Sequence, residues 1–203
     1  MDGNKLVAEL ETLVEAACRR KTNVFGYEIW EYHVRPVVEY GVELAAPLGA
    51  DPEIVRIAAL LHDYAAIKDV TLQEDHHLHG AYEAERLLNA FGYPALRIEA
   101  VRHCILTHRN SVPLRRETPE AVCVASADAM AHIAQVASLL HLAYAQKGLT
   151  VAEGKQWVRD KIAKSWKKLC PEAKGMMREH YAGALLILTD DSGPGRLPAA
   201  VSS

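Results

Sequence analysis

Apolar residues recur at helical spacing along almost the whole chain, and no stretch alternates with a period of two between turn residues. The sequence therefore predicts an all-α protein. Asp51-Pro52 and Thr118-Pro119 are typical helix starts, and Gly92 is typical of a helix end. Pro36 is expected to kink or break the helix that contains it. The predicted helices cover about residues 5–20, 24–48, 51–66, 75–91, 95–108, 118 onward, 151–169 and 171–188.

Length and composition indicate one ordinary globular domain, with 203 residues of which 50% are hydrophobic and 24% charged. A formal net charge of −3 gives no overall attraction to nucleic acid or anionic lipid. The four cysteines contain no CxxC pair, which argues against a zinc ribbon and favours a reducing cytoplasm. The first residues lack the pattern of a signal peptide, and the late apolar run 182–188 is too short to span a membrane.

The junction of a fully apolar segment with His62-Asp63 is the most informative point of the sequence. Ile57–Leu61 is apolar all round, which predicts a helix buried on every side. An ionised aspartate at the end of such a helix costs several kcal/mol unless a cation or hydrogen-bond donors meet it. Because consecutive helical residues diverge by about 100°, the two side chains can flank one metal ion or reach two adjacent ones.

Two further residues with metal-binding chemistry lie on predicted buried helices. Asp128 is the lone acid among the apolar and small residues of the segment 121–131, so it also needs a counter-charge. His33 lies on an inward stripe, where a histidine hydrogen-bonded to a carbonyl is the alternative interpretation. With His62 and Asp63 these residues form a mixed nitrogen and oxygen donor set, which suits Mn, Fe, Co, Ni or Zn better than a thiolate site does.

Helical geometry sorts the remaining histidines only in part. His108 shares a face with Ile98, Val101 and Ile105 and is expected to face the core, whereas His103 is about 140° away. His76 and His79 share one side of their helix, and spacing alone does not choose between them. Two neighbours are placed less specifically: His77 turns elsewhere, and His132, one turn after Asp128, is expected to contact a ligand or to line the pocket.

The order and spacing of these residues resemble the HD-domain superfamily of metal-dependent phosphohydrolases. The resemblance spans Trp30 to His132. It rests on three local motifs: Ala58–Asp63, His76–Ala81, and Ile105–Arg109 followed by Ala125–Asp128. It implies an HD-type helical bundle, which we expect over residues 1–189 with a metal-site core at about 24–136. Residues 190–203 are rich in Ser, Gly and Pro and are expected to form a flexible tail.

The resemblance also implies the ligands. His33, His62, Asp63 and Asp128 would bind a first divalent transition metal. In members with two ions, His76 and His108 complete a second site with Asp63 bridging. Asp63 is thus also the implied catalytic residue, and the alternatives for these roles are His79, His103 and His132.

One position departs from the family pattern. Several HD families carry lysine three residues after the aspartate, where this chain has Ala66. We expect Lys68 to substitute for it in holding substrate phosphate, together with Arg109 beside His108. Arg35 is a further candidate cation.

The function that the resemblance implies is hydrolysis of a phosphomonoester or phosphodiester, of a nucleotide or another small molecule, by metal-activated water. The alternatives are a di-iron oxygenase of the HD-domain type and a non-catalytic nucleotide or metal sensor. No nucleic acid or membrane partner is expected. The basic segment 155–168 is interpreted as the solvated face of an amphipathic helix whose tryptophans, Trp157 and Trp166, enter the core or a subunit contact, which leaves a homo-oligomer open.

Overall fold

The computed structural model describes residues 3–109 and 114–189, and within these ranges the chain forms helices and no β-strand. This confirms the all-α prediction, while the predicted tail at 190–203 lies outside the described residues. Two π-helical turns, Trp30–Val34 and Leu142–Gln146, and a 3₁₀ turn, Val70–Leu72, accompany the α-helices. The α-helices are α1 (Gly3–Cys18), α2 (Arg35–Leu48), α3 (Pro52–Leu61), α4 (Tyr64–Lys68), α5 (His76–Ala90), α6 (Ala95–Thr107), α7 (Pro119–Ala134), α8 (Val136–His141), α9 (Val151–Lys168) and α10 (Pro171–Leu188).

Helix α7 lies at the centre of the bundle and contacts α2, α3, α6, α9 and α10. Its residues from Cys123 to Ala131 are all buried, and most of them are small. Small residues allow close approach: a Cβ at Gly41 of α2 would lie 2.9 Å from Val55 Cγ1 and 3.6 Å from Ala127 Cβ. The central helix therefore draws α2 and α3 tightly around the one acidic residue in this stretch, Asp128.

Helix α3 begins as its sequence predicts. The Asp51 carboxylate accepts hydrogen bonds from the backbone N–H groups of Glu53 and Ile54, and Pro52 occupies the first turn. Ile57 to Leu61 are each at most 1% exposed, which confirms that this segment is buried on every side. The fully apolar turn thus anchors His62 and Asp63 in the middle of the protein.

The predicted continuation of this helix to Ala66 is wrong. Helix α3 ends at Leu61, and the short α4 starts at Tyr64. Between them Asp63 takes φ −107° and ψ 3°, in the sparsely populated bridge region where many active-site residues lie. Helical spacing in the sequence does not predict this break, because the break occurs where the Asp63 side chain contacts residues from other helices.

The predicted helix at 24–48 also starts later and is irregular. It begins at Trp30 with a π-helical turn, in which the Arg35 N–H donates to the Trp30 carbonyl, and α2 follows. Pro36 has no N–H to donate, and its ring would crowd the carbonyl four residues earlier in a regular helix. A widened turn before the proline relieves this clash. Such π turns occur frequently at functional sites, and this one carries His33.

Length and hydropathy decide whether a described helix could cross a membrane. None of them alone is long and apolar enough to cross a bilayer. One pair passes the test jointly, Pro119–Ala134 with Val136–Gln146, across a bend of 74°.

Candidate metal centre

Two groups of imidazole and carboxylate side chains lie next to each other at the centre of the bundle. The first consists of His33, His62 and Asp128, from three separate elements. His33 Nε2 lies 3.2 Å from His62 Nε2 and 3.6 Å from Asp128 Oδ1. These residues are 29 and 95 positions apart from His33 in the chain, so the bundle itself creates the group.

The second group consists of Asp63, His76 and His108. His76, the first residue of α5, places its Nε2 3.1 Å from His108 Nε2 and 3.2 Å from Asp63 Oδ1. His108 Nε2 is 3.8 Å from the same carboxylate oxygen. Gly80 allows α5 to come this near, since a Cβ there would lie only 3.3 Å from the His62 carbonyl oxygen.

Asp63 lies between the two groups and faces both. Its Oδ2 is 3.2 Å from His33 Nε2 and 3.2 Å from His62 Nε2, while its Oδ1 faces the second group. With an ion bound in each group, a carboxylate placed between them would contribute an oxygen to both. The side chains of His62 and Asp63 diverge, as helical geometry predicts. His62 belongs to the first group, whereas Asp63 contacts both groups.

The hydrogen bonds of the imidazoles leave their Nε2 atoms facing one another. The Nδ1 atoms of His62, His76 and His108 lie 2.7, 2.7 and 2.6 Å from the carbonyl oxygens of Ala59, Gln73 and Ile105 respectively. A carbonyl accepts only, so each Nδ1 carries a proton and donates it, which leaves Nε2 as the nitrogen that faces the other side chains. The Nε2 atoms of His76 and His108 therefore meet 3.1 Å apart beside a carboxylate oxygen, an arrangement that a proton or a metal cation between them stabilises.

The spacing of the donor atoms suits a transition metal. Ligands at about 2.0–2.2 Å from an ion and separated by about 90–110° lie roughly 3.0–3.5 Å apart. The distances within the two groups run from 3.1 Å for His76 and His108 to 3.8 Å for His108 and Asp63. The residues present therefore fit one ion in each group, with nitrogen and oxygen ligands as expected.

The pKa values of the cluster also indicate that the two aspartates favour positive charge beside them. Burial opposes protonation of His62, but the charge and hydrogen bond of Asp63 outweigh it and raise the pKa of His62 to about 9. Burial alone would raise the pKa of Asp63 and of Asp128. The charge of His62 at Asp63, and that of Lys168 at Asp128, instead hold these pKa values well below the ordinary carboxyl value. Both aspartates are thus ionised and available as ligands.

The three alternative histidines have different surroundings. His132 stacks on the His33 ring with centroids 5.0 Å apart, and its Nδ1 is 3.6 Å from Asp128 Oδ1. His103 points away and accepts a hydrogen bond from the Glu117 N–H, while His79 is exposed. His77, which sequence spacing turned away from this side, is in fact buried, with Nδ1 3.4 Å from the Arg109 guanidinium.

The candidate cations for substrate are likewise not equivalent. Arg109 lines the cavity beside the cluster and donates to the Glu74 carbonyl. Lys68 instead lies 3.0 Å from Glu83 Oε2 and lines a separate, smaller cavity. Arg35 pairs with Glu31 at 2.7 Å. Of the three, the structure brings only Arg109 together with the metal-binding groups.

Sequence reasoning missed the three lysines of α9 that line the cavity, and the solvated-face interpretation is wrong for two of them. Lys168 donates to Asp128 Oδ2 and its side chain is only 5% exposed, and Lys161 lines the cavity. A signal was present, since these lysines share a helical stripe with the buried Val158, Ile162 and Ser165. Trp157 and Trp166 pack against the core as predicted.

A cavity of about 700 Å³ opens onto both groups. All of the metal-binding residues except the fully buried His62 line it, Arg109 and the α9 lysines contribute positive charge, and Phe25, Tyr32 and Leu139 contribute apolar surface. This volume lies within the range of pockets for small organic ligands.

Comparison with known proteins identifies the family of the chain. The HD domain family model matches residues 30–141, more than half of the chain. Ribonuclease Y of Petrotoga mobilis is 31% identical over 107 residues, which are 52% of this chain and 18% of that protein. The chain thus spans less than a fifth of this relative.

Solved structures show the same fold at low identity. Bacillus subtilis YpgQ superposes with a TM-score of 0.72 at 19% identity, over 93% of this chain and 94% of that one. A second YpgQ structure, in complex with ADP, gives 0.67 at 20% identity over 90% and 93% of the two chains. A predicted HD superfamily hydrolase from an uncultured Thermotogales bacterium gives 0.60 at 21% identity over 89% and 88%.

The chain therefore belongs to the HD-domain family, and the resemblance predicted from its motifs is confirmed. The matched segment contains all six residues of the two groups. Helix α9, with Lys161 and Lys168, lies outside it.

Proposed function

We propose that this protein is a metal-dependent phosphohydrolase that cleaves a phosphoester of a nucleotide or a similar small molecule. One observation carries the proposal: imidazole nitrogens and carboxylate oxygens from five elements of the chain face one another 3.1–3.8 Å apart around Asp63, whose two oxygens face the two groups. The arrangement suits two divalent transition metals, drawn from Mn, Fe, Co, Ni and Zn.

Each part of the cavity has a role in this proposal. Divalent ions in such sites lower the pKa of bound water toward neutrality and polarise phosphoryl oxygens. Asp63 fixes the spacing of the two groups through its two oxygens, and the backbone carbonyls fix the histidine tautomers. Arg109, at the cavity wall, is placed to donate paired hydrogen bonds to a phosphate. Since the protein supplies position and charge, no nucleophilic side chain is required.

The relatives support the substrate class. One YpgQ structure holds ADP, and the matched ribonuclease is named for cleaving a phosphodiester polymer. A cavity of about 700 Å³ suits a ligand of nucleotide size. We place the enzyme in the cytoplasm in the same proposal, since its four cysteines are unpaired.

The test is hydrolysis by protein purified without chelators and then supplied with Mn, Co or Ni. We expect release of phosphate or nitrophenol from a panel of nucleoside phosphates, p-nitrophenyl phosphate and bis(p-nitrophenyl) phosphate. Activity should disappear with EDTA and return with added metal. His79→Ala, a histidine variant outside the two groups, is the matched control and should retain activity.

Other results would assign another function. Oxygen uptake with a mixed-valence iron pair, and no phosphate release, would identify an oxygenase. Tight nucleotide binding without turnover across the panel would identify a sensor. Cleavage confined to a short RNA would replace the small-molecule substrate by nucleic acid.

A further inference from the structure

Helix α9 brings three lysines to the wall of the cavity, although it lies outside the segment that the family model matches. Lys161, Lys164 and Lys168 follow one another at spacings of three and four residues, so they share a face of the helix. The positive charge that α9 places beside the two metal-binding groups thus comes from the C-terminal part of the chain. The three lysines differ in what they contact.

Lys168 already has an anionic partner inside the protein. Its ammonium donates to Asp128 Oδ2, while Asp128 Oδ1 faces His33. The side chains of both members of this pair are less than a tenth exposed. Lys168 therefore holds the Asp128 carboxylate in place, and its charge is balanced without a ligand.

Lys161 has no such partner. Among the residues that the structure describes, no carboxylate oxygen lies within 4.0 Å of its ammonium. Lys161 is partly buried, and burial lowers the pKa of Lys161 while the charges of Asp128 and Asp63 raise it. A partly buried ammonium without a close counter-charge destabilises the ligand-free protein. This cation therefore faces a cavity that an anion can enter.

We propose that Lys161 is a specificity-determining residue that binds a second anionic group of the substrate, beyond the phosphate at the metal centre. The inference rests on the proposed function. Lys161 lines the same cavity as the metal-binding groups, and it lies two turns, about 10 Å along α9, before Lys168, the lysine that pairs with Asp128. A substrate with two linked phosphates can place one phosphate at the metal centre and the other at Lys161.

The experiment compares Lys161→Met with Lys167→Met in the manganese-loaded protein. Lys167 is exposed on the same helix and does not line the cavity, so its variant is a matched control for loss of charge. Calorimetry measures the binding of inorganic pyrophosphate and of inorganic phosphate. We expect K161M to weaken pyrophosphate binding by about 10–100-fold, the effect of a lost charged hydrogen bond, and to change phosphate binding by less than about 3-fold. K167M should change neither, and Lys161→Arg should recover most of the pyrophosphate affinity.

Thermal unfolding separates this role from a structural one. Because methionine removes a partly buried charge, the melting temperature of ligand-free K161M should equal or exceed that of the unmodified protein. Pyrophosphate should raise the melting temperature of the unmodified protein more than that of K161M. A lysine needed only for folding would give a lower melting temperature in K161M.

Three results would overturn the inference: no pyrophosphate binding by the unmodified protein, equal weakening in K161M and K167M, or equal loss of phosphate and pyrophosphate affinity in K161M. The binding assay needs no turnover, so its outcome is separate from that of the hydrolysis assay. If phosphoesters are hydrolysed but K161M binds pyrophosphate as tightly as the unmodified protein, the role of Lys161 is wrong and the proposed function stands. If pyrophosphate binding depends on Lys161 but nothing is hydrolysed, the proposed phosphohydrolase fails and the anion site stands.

Discussion

Asp63→Asn is expected to lower kcat/KM for phosphoester hydrolysis by at least about 10³-fold. The change removes the charge that faces both groups and puts an amide N–H₂, which cannot bind a metal ion, where a carboxylate oxygen meets imidazole nitrogens. Metal ions contribute several kcal/mol to such reactions, and a loss of about 4 kcal/mol corresponds to roughly 10³-fold in rate. Steady-state kinetics at saturating metal measures the effect.

The control for this variant is Asp69→Asn, an aspartate six positions further on. Its carboxylate accepts hydrogen bonds from the Thr71 N–H and hydroxyl groups at the surface, away from the two groups. We expect its kcat/KM to stay within about 2-fold of the original value, since a surface change of this kind costs little. Equal activity of the Asp63 and Asp69 variants would contradict the role given to Asp63.

Leu61→Ala should lower the free energy of unfolding by about 2–5 kcal/mol, the range for truncating a buried leucine. Leu61 is 0% exposed, at the end of the turn that carries His62 and Asp63. Truncation leaves a cavity directly under the candidate metal centre, so metal affinity should fall as well. Urea denaturation followed by circular dichroism measures the change in stability.

Leu96→Ala is the matched leucine control, because Leu96 is 87% exposed at the start of α6. Its free energy of unfolding should stay within about 0.5 kcal/mol of the original. A similar loss in both variants would mean that α3 is not the buried support of the site.

Helical spacing was sufficient to predict the burial and orientation of a side chain where these depend on its own helix alone. It predicted the burial of Ile57–Leu61 and separated His108 from His103. It left His76 and His79 equivalent, because only the position of α5 against α3, close at Gly80, decides which of them meets Asp63.

The errors have a common physical cause, since each depends on contacts between distant parts of the chain. The break at Asp63 accompanies the contacts of its side chain with imidazoles of other elements. Lys161 and Lys168 look like solvated charges in a basic helix, and only the docking of α9 on α7 brings them to Asp128 and the cavity. Lys68 failed to reach the cavity because Glu83 of α5 pairs with it.

Metal content is the most direct test of the account. Protein loaded with manganese and freed of excess ion should contain two equivalents per chain by elemental analysis, falling to one in His76→Ala and in His108→Ala and staying at two in His79→Ala. A chain that holds less than one equivalent, or whose content ignores the His76 and His108 substitutions, would contradict a paired metal centre bridged by Asp63.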